Sequence, residues 1–221
     1  MKSKKYAYIG IAAAAIAVAV VVLYPSFNSS SSNQISQAPT GIAAYTLEIS
    51  YETVNSDLRN TLKTQQINMS SPLKFSTQDT INQYCNFLSN QTKQAMIEAC
   101  TSTEIKDFKG NFIGNINMVG SDAAPVLVIA AMQSDPVFSN YNQVKTIFSD
   151  VVNETICQCW SKSKPGGYAT LSDMMDALRT FHLNGKQPDS TTHAVPLGGI
   201  HFEIELSTNS NGYLWKLLIA K

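Results

Sequence analysis

Charge is scarce in this chain. Lys, Arg, Asp and Glu make up 14% of its 221 residues, against about a quarter in an ordinary soluble domain. Three of the 16 basic residues, Lys2, Lys4 and Lys5, precede a long apolar run, so 13 basic residues face 16 acidic ones beyond it. A nucleic-acid partner needs a basic surface that displaces counterions from phosphates, and this mildly negative balance argues against one. Ser, Thr, Asn and Gln take the surface positions that charge leaves, as is common in exported proteins.

Recognisable chemistry is scarce too. There are three histidines, no G-x-S-x-G elbow and no C-x-x-C pair, so neither an α/β-hydrolase nucleophile nor a common zinc or redox site is marked. The pairs Gly166-Gly167 and Gly198-Gly199 sit at turns without a phosphate-loop lysine. No cofactor pattern and no internal repeat is present. His193 stands near Asp189 and Ser190, but proximity in sequence does not make a triad.

What the chain does have is an anchor. Residues 6–24 read YAYIGIAAAAIAVAVVVLY, nineteen residues without a charge, which as a helix span ~28 Å and match a hydrocarbon core. Tyr6, Tyr8 and Tyr24 mark its ends, where aromatic rings favour the interface. The lysines ahead of it, with no charge after it until Glu48, place the N-terminus in the cytoplasm and the rest outside. A cleaved signal would also begin this way, but the small-x-small sites lie inside the run, and Pro39 follows Ser36-Gln37-Ala38. A pilin-like spine would continue into a helix, and here a tether follows. No cysteine stands just after the run, so lipid attachment is not indicated.

The sequence therefore divides into a cytoplasmic stub (1–5), a transmembrane anchor (6–24), a Ser/Pro-rich linker (25–41) and one extracytoplasmic domain (42–221). The linker has six serines and two prolines, and as a coil it separates its ends by ~20–25 Å. Asn28, Asn68, Asn90 and Asn153 each open an N-x-Ser/Thr triplet on the external side and are the glycosylation candidates.

Within the domain, Tyr45, Leu47, Ile49 and Tyr51 alternate with polar residues and predict a strand. A capping box at Ser76-Thr77-Gln78-Asp79 opens a helix carrying Ile81, Tyr84, Cys85 and Leu88, and the helical stripe resumes at Ala95, Met96, Ala99 and Cys100. Residues 111–119 and 126–132 predict two strands, the second apolar on both faces and hence central. From Asn140 a long helix presents Val144, Ile147, Phe148, Val151, Thr155, Ile156 and Cys159 on one face. Thr170 to Asp173 caps another, with Leu171, Met174, Met175, Leu178 and Phe181 inward. Residues 186–199 read as a loop, and 201–207 with 213–220 as a hairpin. The expected fold is α+β, an antiparallel sheet of about five strands packed by three to four helices.

Cys85, Cys100, Cys157 and Cys159 are all external and even in number, which favours two disulfides. On one unbroken helix Cys85 and Cys100 would stand ~22 Å apart, and Cys157 and Cys159 would point about 200° apart, so the expected bonds join one segment to the other. Two sharper possibilities remain. Cys157 and Cys159 could act as a thiolate pair for copper or zinc, or in thiol redox, with a histidine's help. His201 and Glu203, with Glu205, share a strand face ~6.5–7 Å apart and could hold a metal. An exposed antiparallel hairpin shows such a face by default, with Lys216 to pair the carboxylates. The sequence thus describes a single-pass membrane protein displaying a binding or accessory module for another membrane or cell-surface protein, with no cofactor. The metal or redox domain is the alternative.

Overall fold

The computed structural model describes residues 41–221. The apolar run, most of the linker and Asn28 lie outside them. Among the described residues no helix is long and apolar enough to cross a membrane.

The described chain opens with a 3-10 turn at Gly41–Tyr45. In order follow α1 (Tyr51–Thr64), β1 (Asn68–Met69), β2 (Leu73–Phe75), α2 (Gln78–Tyr84), α3 (Gln91–Gln94), β3 (Ala99–Lys106), β4 (Phe112–Gly120) and β5 (Pro125–Ser134). Then come α4 (Tyr141–Thr155), α5 (Trp160–Ser163), α6 (Leu171–Gly185), β6 (Asp189–Thr191), β7 (Val195–Leu197), β8 (Ile200–Asn209) and β9 (Gly212–Ala220). All nine strands belong to one antiparallel sheet in the order β1-β3-β4-β5-β9-β8-β6. β2 shares the outer edge of β3 with β1, and β7 shares that of β8 with β6. The α+β class and the antiparallel sheet stand as expected, while the five strands become nine and the three to four helices become six.

Four of the five expected strands are present, with β5 central between β4 and β9. The fifth is not. Ser50 takes an extended conformation and its side chain accepts a hydrogen bond from Thr53 N–H, which starts α1. Tyr51, Val54, Leu58 and Leu62 then bury one stripe of that helix, so helical period displaces the alternation read before it. The helix expected to carry Cys100 is also replaced. Asn90 caps a single turn, α3, and Thr101, Thr103 and Ile105 alternate inward along β3 against a full ladder from β4. β-branched residues fit that pleated surface better than a helix.

The two faces of the sheet differ. On the first, rows run straight across the strands: Thr103, Ile116, Ala130, Leu217 and Ile204 are successive register partners, as are Thr101, Met118, Val128, Ile219 and Phe202. These pack under α1, α4 and α6 in the main core, with Phe148, Trp215 and Met175 fully buried. α6 begins with the expected capping box between Thr170 and Asp173, but its Phe181 points outward and His182 takes the buried place. The register decides it: His182 lies four residues after Leu178 and continues its stripe.

On the second face, the rows grade from apolar to polar. Cys100, Val119, Leu127 and Ala220 form one row; Glu104, Asn115, Ala131, Lys216 and Glu205 form another four residues further along. Among the described residues only the apolar end is roofed, by Ile42, Ile81, Phe87 and Leu88, with Phe75 of β2 at its edge, in a second and smaller core.

Candidate functional site

The cysteines pair within segments, contrary to the cross-segment expectation. Cys85 and Cys100 are at disulfide distance with Cα atoms 6.4 Å apart, and so are Cys157 and Cys159 with Cα atoms 5.2 Å apart. No described cysteine is free. Both earlier objections assumed regular helices, and neither helix exists there. α2 ends at Tyr84 with Cys85 as its cap, and Cys100 sits on β3 opposite Phe75 and Val119. α4 ends at Thr155, so Cys157 and Cys159 occupy a turn before the short α5.

The two pairs occupy unlike surroundings. Cys85 and Cys100 are both fully buried in the second core. Cys157 and Cys159 are half-buried at the rim of the main core. Trp160 follows them, its ring 5.5 Å from that of Phe202 and its indole N–H donating to Tyr168 O at 3.2 Å, which fixes the far side of the turn. Gly198 closes the near side. At φ +60° it occupies the left-handed region, and a Cβ there would sit 3.3 Å from the Cys157 sulfur, so a larger side chain would crowd the pair.

The histidines do not gather around these thiols. His201 is exposed on β8; Glu203 accepts a hydrogen bond from the Thr191 hydroxyl at 2.6 Å, and Glu205 pairs with Lys216 at 2.9 Å. Among the described residues no three His, Cys, Asp or Glu side chains come together to hold a metal ion. The structure therefore does not bring Cys157, Cys159, His201 and Glu203 to one centre. Asn68, Asn90 and Asn153 are all exposed; Asn90 caps α3 through its side-chain oxygen.

His182 has partners that the sequence did not reveal. Its Nδ1 lies 2.9 Å from Ser190 Oγ and its Nε2 lies 2.8 Å from Thr208 Oγ1, while the exposed His193 meets neither. Burial holds the imidazole pKa below its ordinary value despite the opposing charge of Asp189, and one ring nitrogen donates while the other accepts. A serine-histidine contact invites a nucleophilic reading. Here the second nitrogen meets a hydroxyl rather than an orienting carboxylate, and Ser190 is buried in a strand. The contact is a clamp tying the end of α6 to β6 and β8.

Two clefts open on the surface. One of about 490 Å³ lies beside the second core and includes Gly41, Ile42, Ile81, Met96, Glu98 and Asp122. The other, about 450 Å³, is lined wholly by polar residues of α4, α6 and the C-cap of α1, among them Gln65, Lys145, Ser149 and Asp150. Asp150 is buried and its Oδ2 has no hydrogen-bond partner. Burial, with the nearby Glu154 charge, pushes its pKa up to about 6 although Gln65 opposes the shift. Lys145 does not neutralise it, being turned to Asp176 at 3.3 Å and to the Tyr141 ring at 4.7 Å. The sequence did carry this signal: a carboxylate three residues after Ile147 belongs to the buried stripe of α4.

These features define an α+β protein with one nine-stranded antiparallel sheet, helices over one face and a cysteine-closed roof over part of the other. No protein-family model, curated protein or solved structure matches the chain.

Proposed function

We propose that the chain is a single-pass membrane protein, held in the bilayer by residues 6–24, whose α+β domain stands outside the cytoplasm. There it serves as a binding or accessory module for another membrane or cell-surface protein. The observation that carries this reading is the cysteine pairing: all four thiols lie at disulfide distance in two pairs, which suits an oxidising compartment and not the cytosol. The uncharged run behind three lysines supplies the membrane and the orientation, and the polar linker lets the domain reach a neighbour.

The test is a topology experiment on intact cells expressing the full chain with a different epitope at each end. External protease should remove the C-terminal epitope while the N-terminal one stays protected, and the protein should resist alkaline carbonate extraction. A protected C-terminal epitope, or a mature protein lacking residues 6–24, would overturn the anchored arrangement.

A further inference from the structure

We propose that Cys157 and Cys159 are a redox-active pair that exchanges with the dithiols or disulfides of a partner protein, while Cys85–Cys100 is structural. The proposal goes beyond the anchored reading and does not depend on it, since both pairs lie within the described domain.

Three observations distinguish the second pair. It lies half-exposed at the rim of the main core, whereas both residues of the first pair are fully buried. Cys159 lies two positions after Cys157, against 15 positions between the first pair, so opening the bond releases almost no chain. The turn is also held without it: α4 closes through Ile156 N–H to Val152 O at 2.9 Å, and Trp160 is anchored to Tyr168 and Phe202. The reduced and oxidised forms can therefore share one fold.

The exchange conserves atoms and electrons. A thiolate of the substrate dithiol attacks one sulfur of the pair and forms a mixed disulfide, and the other cysteine leaves as a thiolate that takes up a proton. The substrate's second thiol, once deprotonated, attacks the mixed disulfide and releases the first cysteine. The substrate has then lost two electrons and two protons to form its own disulfide, and Cys157 and Cys159 have gained them. A disulfide partner runs the same steps in reverse and restores the pair.

The test uses the full chain purified in mild detergent. Timed reduction by dithiothreitol, quenched with an alkylating agent and read by peptide mass, should open Cys157–Cys159 about a hundred-fold faster than Cys85–Cys100, with the circular dichroism of the domain unchanged. A reduced synthetic peptide bearing two cysteines should then be oxidised with one disulfide formed per chain. The Cys157→Ser/Cys159→Ser variant should not oxidise it, and one of the single serine variants should trap the mixed disulfide with an activated peptide disulfide. Equal reduction rates at both pairs would overturn the proposal, and so would peptide oxidation unaffected by the double variant. A pair isolated as thiols that oxidised glutathione cannot close would do the same. The rate comparison is made on the unaltered protein, so it stands even if a variant fails to fold.

Discussion

Each face of the sheet has one cysteine pair, and the two faces use theirs differently. The helical face buries a continuous apolar layer under α1, α4 and α6 and needs no covalent help; its pair sits at the rim, half-exposed, in a turn that packing already fixes. The opposite face has only a small roof, built from α2, the 3-10 turn and connecting loops. Seven residues of helix cannot hold such a roof by themselves, and Cys85–Cys100 ties its end to β3. A disulfide adds most where noncovalent burial is thinnest, and one placed where burial is ample is released from structural duty.

The largest expected effect breaks or confirms that division directly. Replacing Cys85 and Cys100 by alanine removes a constraint on the intervening chain and two buried sulfurs, and should cost about 3–5 kcal/mol. Replacing Cys157 and Cys159 by serine should cost about 1 kcal/mol or less. Urea midpoints of the two double variants under oxidising conditions make the comparison. Equal losses would mean that the rim pair is a staple after all.

A second effect separates the helical face from the roof by its response to pH. Asp150 is held above its ordinary value, up to about 6, so from about pH 4 to 6 the folded state binds protons that the unfolded state has released. Stability from this group is therefore greatest below that window, falls as pH rises through it, and stays reduced above it. Asp150→Asn should leave stability near pH 4 almost unchanged and raise it by about 1–2 kcal/mol at pH 8. The measurement is the pH dependence of the urea midpoint for both proteins. A variant no more stable at pH 8 than at pH 4, relative to the parent, would show that the carboxylate finds compensation in the polar cleft.

Apart from α1, the long elements were far more legible in the sequence than the short ones. α4, α6 with its capping box and the β8–β9 hairpin declare themselves because each repeats one period for at least nine residues, β5 does so by its unbroken apolar run, and even the register of Phe202, Ile204 and Leu206 against Ile219, Leu217 and Trp215 follows from alternation. At the edges of the sheet the elements are too short to show a period. Residues 45–51 alternate only because Leu47 and Tyr51 happen to point inward at the entry to α1, and β1, β2, β6 and β7 have two or three residues each. Misreading the start of β3 as helix misplaced Cys100, and carrying α4 on to Cys159 misplaced the second pair. The candidate site was half legible: the C-x-C pair was singled out, but its exposure depends on where α4 stops, which is set by packing and not by a breaker residue. The partners of His182 were hidden because Ser190 and Thr208 reach it from strands 8 and 26 residues away.

The smallest effect concerns the unroofed half of the second face. Lys216 is buried among its neighbours with 10% of its side chain exposed, against 21% for Glu205, and they meet at 2.9 Å. Removing one partner would strand the other, so the informative change replaces both. Lys216→Met with Glu205→Gln should alter stability by less than about 1 kcal/mol, because the attraction gained by a pair at a polar, partly solvated surface is nearly offset by desolvation and side-chain ordering. The difference should shrink further in 1 M salt, where the screening length falls to about 3 Å. A loss above about 2 kcal/mol that salt does not diminish would show that this row behaves as a packed interior. The second face would then be closed along its whole length, and the need for a covalent staple could no longer be traced to thin burial.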